Sequence, residues 1–252
     1  MLANLVPYIR TWSFHILELM NNTLANGLAL LGFLSHTAES FGVSELASEL
    51  KLPKSHVHRL LQTLIASGYV VQDGDRRYRI GLRPLQISCA VLHHLPLRAA
   101  ALPVLHRLSK ATGMDAIVSI PHDSAGLIVG AVYPEGRQRD PGAIIGSRLA
   151  VGTTATGTLF SACLPGLVTA TVSANELASI RLNRFVVKDP HLSDGFNGMA
   201  AMVGDAASSI VGALGMSGPG EHFRKNFTRS SELLRDAAND LTTSLTILRP
   251  TA

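Results

Sequence analysis

Apolar residues recur at helical spacing from the first residues of the chain. Leu5, Ile9, Trp12, Ile16, Leu19 and Met20 share one face and predict an amphipathic helix inside an N-terminal extension, residues 1–23. That extension reads equally as a dimer contact or as an artefact of a chain whose start is Met20. After Asn26, an acceptable N-cap, Leu28, Leu31 and Leu34 predict a short helix ending near Ser35, then a polar loop to Gly42. Ser44 is expected to cap a second helix, Glu45 to Leu50. The turn Lys51-Leu52-Pro53 leads to a third helix with Pro53 as its first residue, running to Ser67 and stopping at Gly68. Strands are expected at Tyr69 to Val71 and Tyr78 to Ile80, joined by Gln72-Asp73-Gly74-Asp75, where Asp-Gly supplies the positive φ of a tight hairpin. Residues 24–81 therefore form one unit of three helices and a hairpin.

Leu82, Leu85, Cys89, Leu92 and Leu95 mark one side of a connecting helix, 82–96, that Pro96 ends or bends, and a further helix reaches Thr112-Gly113. The rest of the second domain, 97–252, alternates strands (116–120, 127–132, 185–187, 199–203, 210–217) with helices (around 154–163 and 174–183, and a final one from about 228 to 248). Mixed order of this kind predicts an α+β domain with a mainly antiparallel sheet. There is no internal repeat and no low-complexity tract.

Composition narrows the class. Of 252 residues 46% are hydrophobic and 16% charged, too apolar for disorder, and no apolar run approaches the roughly 18 residues of a membrane span. Cys89 and Cys163 lie far apart, which suggests neither a disulfide framework nor a zinc ribbon and fits a reducing cytoplasm. The N-terminus lacks the pattern of an export signal. The formal net charge is +4, and its distribution matters more than its size: from Ser44 to Arg83 seven Lys/Arg face four acids, so most of the excess lies in the first unit.

On the third helix Val57, Leu60, Leu61, Leu64 and Ile65 form a core stripe, which turns Ser55, Arg59 and Gln62 outward, with Lys54, His56 and Thr63 flanking them. A polar outer face alone usually marks an ordinary surface helix. Here the order helix, helix, helix, hairpin, with Arg76, Arg77 and Arg79 on the hairpin, is that of a winged helix-turn-helix. The third helix would enter the major groove, with Ser55, His56 and Arg59 contacting bases and the hairpin touching phosphates or the minor groove.

Val43-Ser44-Glu45-Leu46-Ala47, Leu52 to Leu61 and Gly68-Tyr69-Val70 resemble the DNA-binding domain of the IclR family of transcription regulators. His56 departs from the Thr usual there. In the second half Leu149 to Leu159, Glu176 to Phe185 and Ser217-Gly218-Pro219 resemble landmarks of that family's GAF-like effector domain, and the likeness runs from near Asn26 onward. The resemblance implies a homodimer or dimer of dimers on a palindromic double-stranded DNA operator, switched by a small molecule and needing no cofactor. It also implies that Thr154, Gly157, Asp189 and Ser217 lie near the effector. Two stretches depart from the family: Ala150-Val151-Gly152 replaces Pro-Leu-His, and Lys188-Asp189-Pro190-His191 replaces paired acids. Lys188 would then favour a small organic or aromatic acid between apolar walls from Leu149, Met199 and Met216, unless it points to solvent at a strand end.

Three other readings stay open. The effector pocket has degenerated and the protein regulates without a ligand. Gly215-Met216-Ser217-Gly218-Pro219 looks like a hydrolase nucleophile elbow, but Pro219 stands where the motif needs Gly, so a tight turn after a strand is expected and no enzyme. His122, His191 and His222 converge on a metal, although the ten histidines show no ligand spacing. Repression and activation are not distinguishable in the sequence.

Overall fold

The computed structural model describes residues 22–36, 39–123, 125–137, 139–164, 172–188, 195–205 and 209–247. The extension helix expected over Leu5 to Met20, and the site candidates Asp189 and His191, lie outside them. The chain divides into two units, Met1–Val91 and Leu92–Ala252. Among the described residues no single helix is long and apolar enough to cross a membrane.

The first unit opens with α1 (Asn22–Ser35), which buries Leu30 and Leu34. The four residues before Asn26 are already helical, so Asn26 is not a cap. Its side chain instead reaches the His56 ring at 3.3 Å. The second helix, α2 (Val43–Leu50), is started by Gly42 rather than Ser44: the Gly42 N–H donates to Glu45 Oε2 at 2.7 Å, which satisfies a donor that the helix cannot. Lys51, in the left-handed region (φ 53), ends it. Pro53 is the N-cap, not the first helical residue, of α3 (Lys54–Ala66).

One face of α3 supplies Val57, Leu60 and Leu61 to a core shared with Leu30, Leu34, Phe41, Leu46, Val70 and Tyr78. The hairpin β1 (Val70–Gln72) and β2 (Tyr78–Ile80) is antiparallel. Phe41 extends it, because its N–H and C=O exchange bonds of 2.9 and 2.8 Å with Tyr78. In the turn the left-handed residue is Arg76 (φ 57), not Gly74. Asp73 explains why: its carboxylate accepts the Arg77 N–H at 2.9 Å and its carbonyl accepts the Arg76 N–H at 3.2 Å, which closes the loop one residue later than Asp-Gly would. Then α4 (Arg83–His93), which buries none of its residues, leads across the division at Val91.

The second unit is α+β. Its six-stranded sheet runs from edge to edge through Arg148–Ala150, Ala125–Val132, Asp115–His122, Ser209–Pro219, Phe196–Asp205 and Phe185–Lys188, with every pairing antiparallel. The strands are β3 (Asp115–His122), β4 (Ala125–Val132), β5 (Arg148–Ala150), β6 (Phe185–Lys188), β7 (Phe196–Asp205) and β8 (Ser209–Pro219). The helices are α5 (Pro96–Thr112), α6 (Ala155–Cys163), α7 (Ala174–Asn183) and α8 (Gly220–Ile247).

Strand alternation divides the core. Met199, Ala201, Val203, Leu214 and Met216 pack with Leu105 of α5 and Leu234 of α8 on one face. Ala200, Met202 and Ala213 pack with Leu159 of α6 and Ile180 of α7 on the other. Two expectations change here. The sequence does not predict β5, and α8 begins at Gly220, eight residues before the helix expected from about 228, following β8 with no loop. Ser217-Gly218-Pro219 is accordingly strand, not a tight turn.

Candidate nucleic-acid interface and ligand cavity

The outward face of α3 carries Lys54, Ser55, Arg59, Gln62 and Thr63, all exposed, and the helix contains no carboxylate. Thr63 Oγ1 donates to the Arg59 carbonyl at 3.2 Å, which keeps that side chain close to the helix. His56 differs from its neighbours. Half-buried and bonded to Asn26, it ties α3 to α1 rather than standing free for a base. Lys51, exposed in the turn before α3, adds a cation that the pattern of the helix could not single out.

The hairpin arginines also separate. Arg76 and Arg79 are exposed. Arg77 donates through Nε and Nη2 to the Ser40 carbonyl at 3.1 and 2.6 Å, and through Nη2 to Glu45 Oε2 at 3.0 Å. The Gly42 N–H, with the Arg77 guanidinium beside it, holds the Glu45 carboxyl below its ordinary value against slight burial.

In the second unit a cavity of about 160 Å³ opens on the α6 side of the sheet. An apolar hole of about 150 Å³ accepts benzene, so a ring-sized metabolite fits. Register explains its shape. Asp115, Ser217, Gly198 and Lys188 are successive cross-strand partners on β3, β8, β7 and β6, and paired residues point to the same face. Gly198 leaves a gap between Ser217 and Lys188. A β-carbon there would be in ordinary contact, 3.5 Å from the Met216 carbonyl oxygen and 4.0 Å from the Ala155 β-carbon, so the floor has room for a methyl group.

Leu149, Thr154, Lys188, Met199, Met216 and Ser217 border this cavity. Met199 and Met216, however, belong to the core on the opposite face, so alternation leaves only their backbone toward the cavity. The apolar walls come instead from Leu149, Ile117 and Ala143. Gly157 is not part of the lining. Its N–H donates to Thr154 Oγ1 at 3.0 Å, and a β-carbon on it would meet the Ala150 carbonyl oxygen at 2.2 Å.

The first turn of α6 faces the cavity through Thr154, Ala155 and Thr156. Thr154 caps Gly157, and the Thr158 N–H reaches the Thr154 carbonyl. The Ala155 and Thr156 N–H groups have no intrahelical acceptor to reach, and with half-buried Lys188 they make this end of the cavity positive.

A strap between β4 and β5 covers the other side through Asp140, Gly142 and Ala143. The Asp140 N–H donates to buried Asp115 Oδ2 at 2.6 Å, Tyr133 Oη donates to the Ala143 carbonyl at 2.6 Å, and the Gly146 N–H reaches Ile128. Burial pushes the Asp115 carboxyl above its usual value, the Asp140 N–H opposes this, and the Asp140 charge adds to it. Burial likewise raises Tyr133, with Asp115 next in effect. A glycine inside a strand hints at a close approach, which could have flagged Gly198, but no local signal marks Asp140 or Thr156.

Among the described residues no group of three His, Cys, Asp or Glu could hold a metal. His122 is exposed beside Asp123, and His222 bonds the Thr112 carbonyl at 2.7 Å. Ser217 lies within β8 rather than at a strand-to-helix elbow.

Residues 23–74 match the model of the IclR helix-turn-helix domain. Over 250 residues the chain is 28% identical to the HTH-type transcriptional repressor AllR of Salmonella paratyphi A, covering 91% of this chain and 92% of that one. A solved transcriptional regulator from Rhodococcus sp. RHA1 is similar with TM-score 0.74 and 26% identity, over 91% of this chain and 100% of that one. In fold alone the chain is also similar to an IclR homolog from Microbacterium hydrocarbonoxydans complexed with 4-hydroxybenzoate, with TM-score 0.73 and 20% identity over 89% and 99% of the two chains. These relatives are regulators, not enzymes. Residues 23–74 thus carry an IclR-type helix-turn-helix, and along both units the chain is similar to transcriptional regulators of that type.

Proposed function

We propose that the protein binds a roughly palindromic operator as a homodimer or dimer of dimers, and that a small organic or aromatic acid in the α6-side cavity switches it. The observation that carries the acid is the convergence of Lys188 with the first turn of α6 on one end of a ring-sized cavity with apolar walls. The Microbacterium homolog complexed with 4-hydroxybenzoate supports the class of ligand, and the AllR relative supports repression as the sense of control. Asp189 would join the site from the segment after Lys188.

On the DNA, Ser55, Arg59 and Gln62 read bases in the major groove, and Lys54, Thr63, Arg76 and Arg79 hold phosphates. His56 contributes by fixing α3 to α1. The second copy docks on α4, which leaves Leu85, Ile87 and Val91 exposed beside Leu82. Such a protein works in the cytoplasm, where the genome is. The ligand acts only if it binds the DNA-competent and DNA-incompetent arrangements with different affinity.

The test begins with duplexes that the wild type selects from a random-sequence library. Arg59→Ala should cost roughly 1–3 kcal/mol and relax preference at one base. Calorimetry with a panel of aromatic and aliphatic carboxylates, 4-hydroxybenzoate first, should find an acid whose affinity falls in Lys188→Ala. Unchanged affinity removes Lys188 from the site. If no acid raises the melting temperature, the regulator works without a ligand and the cavity has lost its function.

A further inference from the structure

We infer that Arg77, despite its place on a basic wing, is a positioning residue that sets the wing against the reading helix through Ser40 and Glu45. The inference rests on the reading of α3 and the hairpin as the DNA surface. A hairpin of three residues per strand has little stability of its own. Its direction must come from what it is tied to, and two ties converge on one short segment.

The Tyr78 backbone pairs with Phe41, and the neighbouring Arg77 side chain holds the Ser40 carbonyl. Glu45 completes the link, because one carboxylate oxygen takes both the Arg77 guanidinium at 3.0 Å and the Gly42 N–H at 2.7 Å. The wing is thereby fastened to the N-terminus of α2, whose Leu46 and Ala47 share a core with Leu60 and Leu61 of α3. Any swing of the wing away from α3 must break these bonds, and the exposed Arg76 and Arg79 would swing with it.

Charge leads to the same assignment. The Arg77–Glu45 pair carries no net charge, and a carboxylate at 3.0 Å repels the phosphate that Arg77 would otherwise hold. Both side chains are close to half exposed, so the ion pair itself stabilises little. The tie works through geometry. A planar guanidinium reaches a carbonyl and a carboxylate together, which a single ammonium cannot do.

The experiment measures anisotropy of a fluorescent duplex selected by the wild type, across a salt series, for Arg77→Ala, Arg77→Lys, Glu45→Ala, Glu45→Gln and the double variant Arg77→Ala/Glu45→Ala. Arg76→Ala serves as the phosphate reference, expected to lower the salt slope by about one unit. Arg77→Ala should weaken binding about tenfold with the slope unchanged, and Arg77→Lys should not rescue it. Glu45→Ala should also weaken binding although it removes a negative charge, Glu45→Gln should restore most of it, and the double variant should be no worse than Arg77→Ala alone.

Hydrogen exchange should show residues 70–80 opening faster in Arg77→Ala while the α1–α3 core stays protected. That readout also separates a loosened wing from an unfolded domain. A slope lowered by about one unit in Arg77→Ala, with binding kept in Arg77→Lys, would mean that Arg77 grips phosphate and overturns the inference. Failure of the wild type to select any duplex would instead overturn the DNA-binding reading itself.

Discussion

Arg76 stands at the tip of the wing with φ 57, a conformation that costs a side chain about 1 kcal/mol and a glycine almost nothing. Stability and binding therefore pull against each other at one residue. Arg76→Gly should raise stability in urea unfolding by on the order of 0.5 kcal/mol while weakening binding to all duplexes alike; an unchanged or lower stability would show that the turn is not strained. A second residue sets a pH dependence. Burial raises the folded pKa of Asp115, so its contribution to stability is fully present below the unfolded value and is lost as pH rises through the folded one. At neutral pH the ionised group is a cost. Asp115→Asn keeps an oxygen for the Asp140 N–H and should be more stable than wild type at pH 7, with the gap closing toward about pH 4. Glu45 and Glu221, whose pKa values are lowered, lose their contributions as pH falls, equally in both proteins, and cancel in the comparison. A gap independent of pH would refute the assignment.

At the level of elements, two glycines on the cavity side should respond oppositely to the same change. Gly157→Ala drives a methyl group into the Ala150 carbonyl, displacing α6 from the end of β5, and should destabilise by about 1–3 kcal/mol. Gly198→Ala meets nothing closer than 3.5 Å and should be near neutral in a thermal melt while narrowing the cavity. Equal losses would mean that the cavity floor is closed. The elements that the sequence made legible are those whose signal is local. The stripe Val57, Leu60, Leu61 needs only a period of 3.6, and the hairpin needs only two apolar runs and a turn. The edge strand β5 has three residues and no period to detect, and Glu45 started its helix by reaching back to Gly42, out of sight of a search for Ser44. The cavity was legible only in part, because the row Asp115, Ser217, Gly198, Lys188 depends on the register of strands distant in sequence. The same register sends Met199 and Met216 to the far face, although their composition suits a pocket wall.

For the molecule as a whole, the proposed assembly rests on the exposed apolar residues of α4. Leu85→Glu with Val91→Glu should shift sedimentation toward monomer and weaken operator binding, since each head alone meets one half-site. A bifunctional maleimide should link wild-type copies through exposed Cys89 if α4 pairs with α4, and persistence of the dimer in the double variant would move the interface elsewhere. The direct junction of β8 and α8 has a mechanical meaning. Ser217 borders the cavity, Pro219 ends the strand, and Gly220 begins a helix of 28 residues, about 42 Å long. With no slack between them, a shift of the strand end passes directly to the first turn of the helix, which Phe223, Leu234 and Leu241 hold in the core on the sheet's other face. If the proposed acid acts through this junction, two glycines inserted after Pro219 should leave its binding measurable by calorimetry yet disconnect it from operator release, as a clutch disengages an engine that still runs; release unchanged by the insertion would rule the junction out.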